Sequence, residues 1–143
     1  MNSPVSKPEI AELYGRYAQY YDDGRAQDFA ALFTTTATFV RAPGTEPVMG
    51  RDAIASLVTD AGTPTGIRHL VSSVIVDEAP GEAALGAAYV QAVTVDENSI
   101  RLVTLGRYTD EFRYEDGRWR FHVHRYEPFT GTDLRGAVLA GPA

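Results

Sequence analysis

A helical stripe is the clearest pattern along the chain. Ile10, Leu13, Tyr14, Tyr17 and Tyr21 recur at the i, i+3, i+4, i+7 spacing of one buried helix face. Ser6-Lys7-Pro8-Glu9 supplies the start, with a capping hydroxyl, a proline suited to the first turn and an acid suited to the helix dipole. Asp22-Asp23-Gly24 supplies the end. A second, shorter helix begins at Asp28, with Phe29, Leu32 and Phe33 as its apolar side. Thr34 to Val40 is rich in β-formers and predicts a strand. Pro43-Gly44 and Pro47 mark a loop, and Gly50-Arg51-Asp52 leads into a third helix with Ile54, Leu57 and Val58 inward.

From Gly66 onward the period changes to two. Strands are predicted over His69–Val76, Ala83–Val95, Leu102–Tyr114 and Arg118–Tyr126. Turns fall at Pro80-Gly81, at Asp96-Glu97-Asn98 and at Glu115-Asp116-Gly117, where Asp-Gly is a strong hairpin signal. Helices first and an antiparallel meander afterwards make an α+β layout. Strict alternation then sorts the side chains. His69 shares a face with Val71, Ser73 and Ile75; Asp110 shares one with Gly106, Tyr108 and Phe112. On the last strand Trp119, Phe121, Val123 and Arg125 form a core face. Arg118, Arg120, His122, His124 and Tyr126 form the opposite one, a solvated or dimer surface.

Length and composition narrow the class. The 143 residues, 44% of them hydrophobic and 22% charged, suit one globular domain with a real core. No repeat or second domain is visible, and the segment after Pro128 reads as an irregular tail. The net charge of −6 argues against nucleic acid as a partner. The absence of cysteine excludes disulfides, thiolate catalysis and zinc–thiolate sites. With no signal-peptide pattern after Met1 and no apolar run long enough to span a bilayer, the expected location is the cytoplasm, away from membranes. No phosphate-binding glycine loop, nucleophile elbow or metal-ligand cluster occurs, so a reaction without cofactor or metal is expected.

Four segments carry a family likeness: Tyr17-Ala18-Gln19-Tyr20-Tyr21-Asp22 with Asp28-Phe29-Ala30-Ala31-Leu32-Phe33; Gly50-Arg51-Asp52-Ala53-Ile54; Ile67-Arg68-His69-Leu70-Val71; and Gly106 to Phe112 running into Glu115 to Phe121. Over about residues 8 to 127 the chain resembles the SnoaL-like branch of the NTF2-like superfamily. The resemblance implies a cone: N-terminal helices packed on a curved, mixed but mainly antiparallel sheet around one pocket. It also implies a homodimer. The fold hosts dehydratases, isomerases, epoxide hydrolases, polyketide cyclases and non-catalytic subunits, so function has to come from the site. Two departures are visible. Thr34-Thr35-Thr36 replaces the acidic residues relatives often carry, and Arg41 stands near the place of a ketosteroid-isomerase-type base.

In dehydratase-like relatives a Tyr and an Asp of the first helix face a His on the first meander strand, and Tyr17, Asp22 and His69 are similar in spacing. Such a set suits elimination beside a carbonyl. His takes the α-proton, Tyr donates to the developing oxyanion, and Asp orients the imidazole. Five helical positions advance about 500°, which puts Asp22 about 140° from Tyr17 unless the helix ends there. Each residue also has a plainer reading: Tyr17 as core, Asp22 as a solvated helix end, His69 as a hydrogen-bonded core histidine. Asp110 is a secondary candidate, or else a structural partner of Arg107 or Arg125. Arg125 could reach a carbonyl at the pocket mouth. Tyr14, Tyr21, Phe33, Val71, Tyr89 and Tyr108 are the expected lining. The implied activity is cofactor-independent acid/base chemistry of the dehydratase, isomerase or cyclase type on a small hydrophobic carbonyl compound. A cyclase working mainly by folding its substrate and a non-catalytic binding or adaptor module are the alternatives.

Overall fold

The computed structural model describes residues 4–61 and 66–129, with the backbone alone at 60 and 61. The predicted tail after Pro128 therefore lies almost wholly outside the described residues. The elements run α1 (Lys7–Asp22), α2 (Ala26–Ala31), β1 (Phe33–Val40), β2 (Val48–Met49), α3 (Arg51–Ala61), β3 (Ile67–Ala79), β4 (Ala83–Val95), β5 (Ile100–Glu115) and β6 (Arg118–Pro128). The six strands form one open sheet in the order β2-β1-β6-β5-β4-β3. Only β1 and β6 pair in parallel; the other neighbours are antiparallel. None of the described helices is long and apolar enough to cross a membrane.

Helix α1 starts as its sequence demands. The Ser6 hydroxyl accepts from the Glu9 backbone N–H at 3.4 Å, and the proline lies in the first turn. Glu9 does more than complement the dipole, because its carboxylate accepts the Trp119 backbone N–H at 3.0 Å and ties the helix start to β6. The buried face of α1 is broader than the predicted stripe. It includes Ala18 and Asp22 beside Ile10, Leu13, Tyr14 and Tyr17. The extra width serves β3, which packs along that flank of α1. Helix α2 begins at Ala26, earlier than expected, directly after Gly24 turns the chain with φ 72°. The two-residue β2 was too short to show in the sequence. Asp116 and Gly117 both take positive φ, as the predicted hairpin requires.

Bulges overturn the strict alternation at two places that matter. In β3, Ser72 pairs with Tyr89 and Ile75 with Ala87, so one extra residue is accommodated around Ser73, whose φ is 54°. Beyond it Val74 and Val76 turn toward the core and Ile75 is exposed, contrary to the face predicted for Ser73 and Ile75. In β6, Glu111 pairs with Val123 and Phe112 with Phe121, which leaves His122 as the extra residue. Trp119 and Phe121 are core as predicted, but the inner face continues with His124 and Tyr126, not with Val123 and Arg125. Such bulges bend a sheet, and α1 packs against both bulged strands, β3 and β6.

Candidate active site

The concave face gathers an aromatic cluster. Tyr14, Tyr17, Phe29, Phe33, Phe39, Tyr108, Phe112 and Phe121 are all buried and in mutual contact. Above it opens a cleft of about 170 Å³ lined by Tyr17, Tyr21, Phe39, Arg41, His69, Val90, Thr104, Tyr108 and Tyr126. An enclosed cavity of about 150 Å³ takes one benzene ring, so this cleft, which is open on one side, suits a ligand of one or two rings.

Asp22 is the last residue of α1, and the helix ends where its carboxylate is needed. At about 140° from Tyr17 it lies on the flank toward β3. Its Oδ2 accepts the backbone N–H of His69 at 2.8 Å, and its Oδ1 lies 2.6 Å from His69 Nδ1. The side chain of Asp22 is 6% exposed and that of His69 17%. A carboxylate can only accept, so Nδ1 carries a proton, and in the neutral ring it is Nε2 that keeps the lone pair. The ring of Tyr21 stands edge-on to the imidazole at 5.0 Å.

The hydroxyls of Tyr17 and Tyr108 are near enough to influence each other's titration. Burial pushes both phenols far above their ordinary range; Tyr108 raises Tyr17 further, whereas Tyr17 opposes the rise at Tyr108, and Asp110 adds to both. Both are therefore neutral hydroxyls at physiological pH. Tyr21 is also raised, mainly by burial, against the opposing charge of Arg41. Thr104 and Tyr126 share a short hydroxyl–hydroxyl bond in the same wall.

Beneath the cleft lies a second acid–imidazole pair. Asp110 Oδ1 is 2.5 Å from His124 Nδ1, and Oδ2 accepts the Tyr14 hydroxyl at 2.5 Å. Tyr14 reaches Asp110 past Gly86, Asp110's cross-strand partner, where a Cβ would stand only 2.6 Å from the Tyr14 oxygen. Asp110 therefore pairs with neither Arg107 nor Arg125, the partners considered from sequence. His124 was assigned to a solvated or dimer face. The bulge at His122 turns it inward instead, with no side-chain exposure. His122 separates from it and bonds Thr34 Oγ1 through Nδ1 at 2.8 Å.

The remaining expectations divide. Tyr17, Tyr21, Tyr108 and His69 line the cleft. Tyr14 and Phe33 lie below it in the core, and the half-buried Val71 packs against that core. Tyr89 is exposed on the outer face, where Arg107 stacks over its ring at 5.6 Å. Arg125 is exposed as well, carried outward by the same bulge that buries His124. Arg41 and Tyr126 were not anticipated as lining. Tyr126 is brought in by the register shift, and Arg41 by its place just after β1. Among the described residues no three His, Cys, Asp or Glu side chains form a group able to hold a metal.

An open six-stranded sheet with helices on its concave side, and a tyrosine-lined cleft holding an Asp–His pair, define a small α+β pocket protein. Solved structures share that architecture. An NTF2-like protein with a cystatin-like fold from Novosphingobium aromaticivorans superposes with a TM-score of 0.79 at 22% identity, over 93% of this chain and 88% of that one. ActVI-ORFA from Streptomyces coelicolor gives 0.76 at 20% identity, over 85% and 95%. A putative scytalone dehydratase from Novosphingobium aromaticivorans gives 0.72 at 24% identity, over 86% and 83%. At these identities the likeness is one of fold. No curated protein matches the chain. Residues 6–125 match the model of the SnoaL-like domain, and the chain belongs to that family.

Proposed function

We propose that this chain is a cofactor-independent acid/base enzyme that acts on a small, largely apolar carbonyl compound. The observation that carries the reading is the Asp22–His69 pair at the cleft wall, bonded at both carboxylate oxygens. Asp22 fixes the ring and its tautomer, and the basic Nε2 accepts a proton from the carbon next to the carbonyl. As charge moves onto the carbonyl oxygen, tyrosine hydroxyls of the wall donate to it; Tyr17, Tyr108 and Tyr126 are the candidates. When the substrate carries a hydroxyl one carbon further, the imidazolium returns the proton to it and water leaves, which is a dehydration. Without that hydroxyl the same proton shuttle gives isomerisation or ring closure. A relative of the same fold described as a putative scytalone dehydratase is compatible with this range.

Proton abstraction can be followed before the natural substrate is known. Small cyclic ketones incubated with the protein in D₂O should take up deuterium at the α-carbon. His69→Ala should abolish the uptake while leaving the melting transition cooperative. No uptake with the wild type, or equal uptake with His69→Ala, would remove the acid/base assignment.

A further inference from the structure

The Asp110–His124 pair has an open end. Asp110 uses one carboxylate oxygen for His124 Nδ1 and the other for the Tyr14 hydroxyl, so its acceptor sites are engaged on both sides. The imidazole is bonded at Nδ1 only. Among the described residues, His124 Nε2 is the one buried side-chain nitrogen or oxygen with no hydrogen-bond partner. This holds in either tautomer, because Nε2 is an acceptor without a donor or a donor without an acceptor. Buried polar groups are almost always paired, and an exception calls for an explanation.

The surroundings supply one. The ring of His124 is walled by Tyr108 at 4.5 Å, Phe39 at 4.7 Å and Tyr17 at 4.8 Å between centroids. Those three side chains also line the cleft. The unused valence therefore lies directly behind the cleft wall, in an aromatic cage. The anchored Nδ1 side is rigid, held by Asp110, Tyr14 and the close fit at Gly86.

The geometry points to His124 as the deep polar terminus of the ligand site. Its Nε2 hydrogen-bonds an oxygen of the ligand once the rings of Tyr17 and Tyr108, in contact at 5.3 Å between centroids, turn aside. The ligand class follows: an aromatic or alicyclic compound with oxygen functions at two ends, one toward His69 and one, a hydroxyl or carbonyl, at His124. This inference rests on the reading of the cleft as the ligand site, but not on His69 performing the chemistry.

The test uses the full chain labelled with ¹⁵N and a probe pair differing by one hydroxyl, 2-naphthol and naphthalene. The chain has 3 histidines, so imidazole nitrogens can be followed individually in long-range ¹H–¹⁵N spectra. 2-Naphthol should move the His124 Nε2 resonance and leave His122 unmoved. It should bind about tenfold more tightly than naphthalene, the factor that 1.4 kcal/mol confers, and His124→Phe should erase that ratio. If that variant does not fold, the wild-type spectra still decide. A probe that shifts His69 but not His124 Nε2, or that does not bind at all, overturns the inference. Deuterium uptake is not involved: hydroxyl-dependent binding at His124 without any uptake would sink the acid/base reading and leave this one standing.

Discussion

The junction of α1 with β3 can be taken apart by two substitutions at one position. Asp22 accepts both the His69 backbone N–H and the ring Nδ1–H, at 2.8 and 2.6 Å. Asp22→Ala orphans both donors. A buried donor left without a partner costs about 1–3 kcal/mol. The backbone N–H belongs at the upper end, while the ring, 17% exposed, can recover part of its loss from water. The sum is about 3 kcal/mol, or a fall in melting temperature of about 10 °C for a domain of this size. Asp22→Asn behaves differently. Its carbonyl oxygen still accepts the backbone N–H, but its amide NH₂ now faces Nδ1 and can only donate. The imidazole must then move its proton to Nε2. Stability should fall by only about 1 kcal/mol, while deuterium uptake should fall by about 10²–10⁴-fold, because the base has become an acid. Thermal melts measure the first pair of effects, and ¹⁵N shifts of the His69 ring report the tautomer directly. Asp22→Ala melting with the wild type, or Asp22→Asn retaining an unprotonated Nε2, would refute the reasoning.

Two further predictions follow from burial and exposure. Tyr14, Tyr17 and Tyr108 all have phenols raised first of all by burial. Stability from them is complete below the unfolded value near pH 10 and is lost above it, because only the unfolded chain releases those protons. Urea melts should show a loss of about 2 kcal/mol between pH 9 and 10.5, and unchanged stability over that interval would contradict the burial of the three hydroxyls. The outer sheet face exposes Leu70, Ile75, Leu85 and Tyr89, an apolar surface suited to a second copy. Sedimentation equilibrium should find a dimer that Ile75→Glu converts to monomer; a monomeric wild type at micromolar concentration would end the proposal.

How far the sequence could be read depended on where the determining signal lay. Helix α1 and the Asp116-Gly117 hairpin are written in local residues, and both lie where those residues put them. The meeting of Asp22 and His69 was accessible through the family spacing, although helical geometry alone opposed it. It became possible because the helix stops at Asp22 and its buried face widens toward β3. The faces of β3 and β6 were not legible. A bulge is decided by the register of two strands against each other, and neither Ser73 nor His122 carries a glycine or proline to announce it. Every inversion of the expected β6 candidates, Arg125 outward and His124 inward, traces to that one extra residue. The Tyr14–Asp110 bond likewise depends on Gly86 lying opposite Asp110, a relation between strands far apart in the chain.

The bulge at His122 has a meaning for how such a pocket can change over time. Before it, β6 contributes Trp119 and Phe121 to a dry core; after it, His124 and Tyr126. Pairing the strand there without the bulge, with no residue lost, would return it to plain alternation, withdraw the imidazole and aim Val123 and Arg125 at the cleft. An acid-anchored imidazole beneath the pocket would give way to an aliphatic patch, with a guanidinium further along. Replacing residues one at a time would require several coordinated substitutions to achieve as much. In a sheet of this kind the presence or absence of a bulge between two anchor points is itself a heritable variable of binding chemistry, separate from the identity of the side chains that line the pocket.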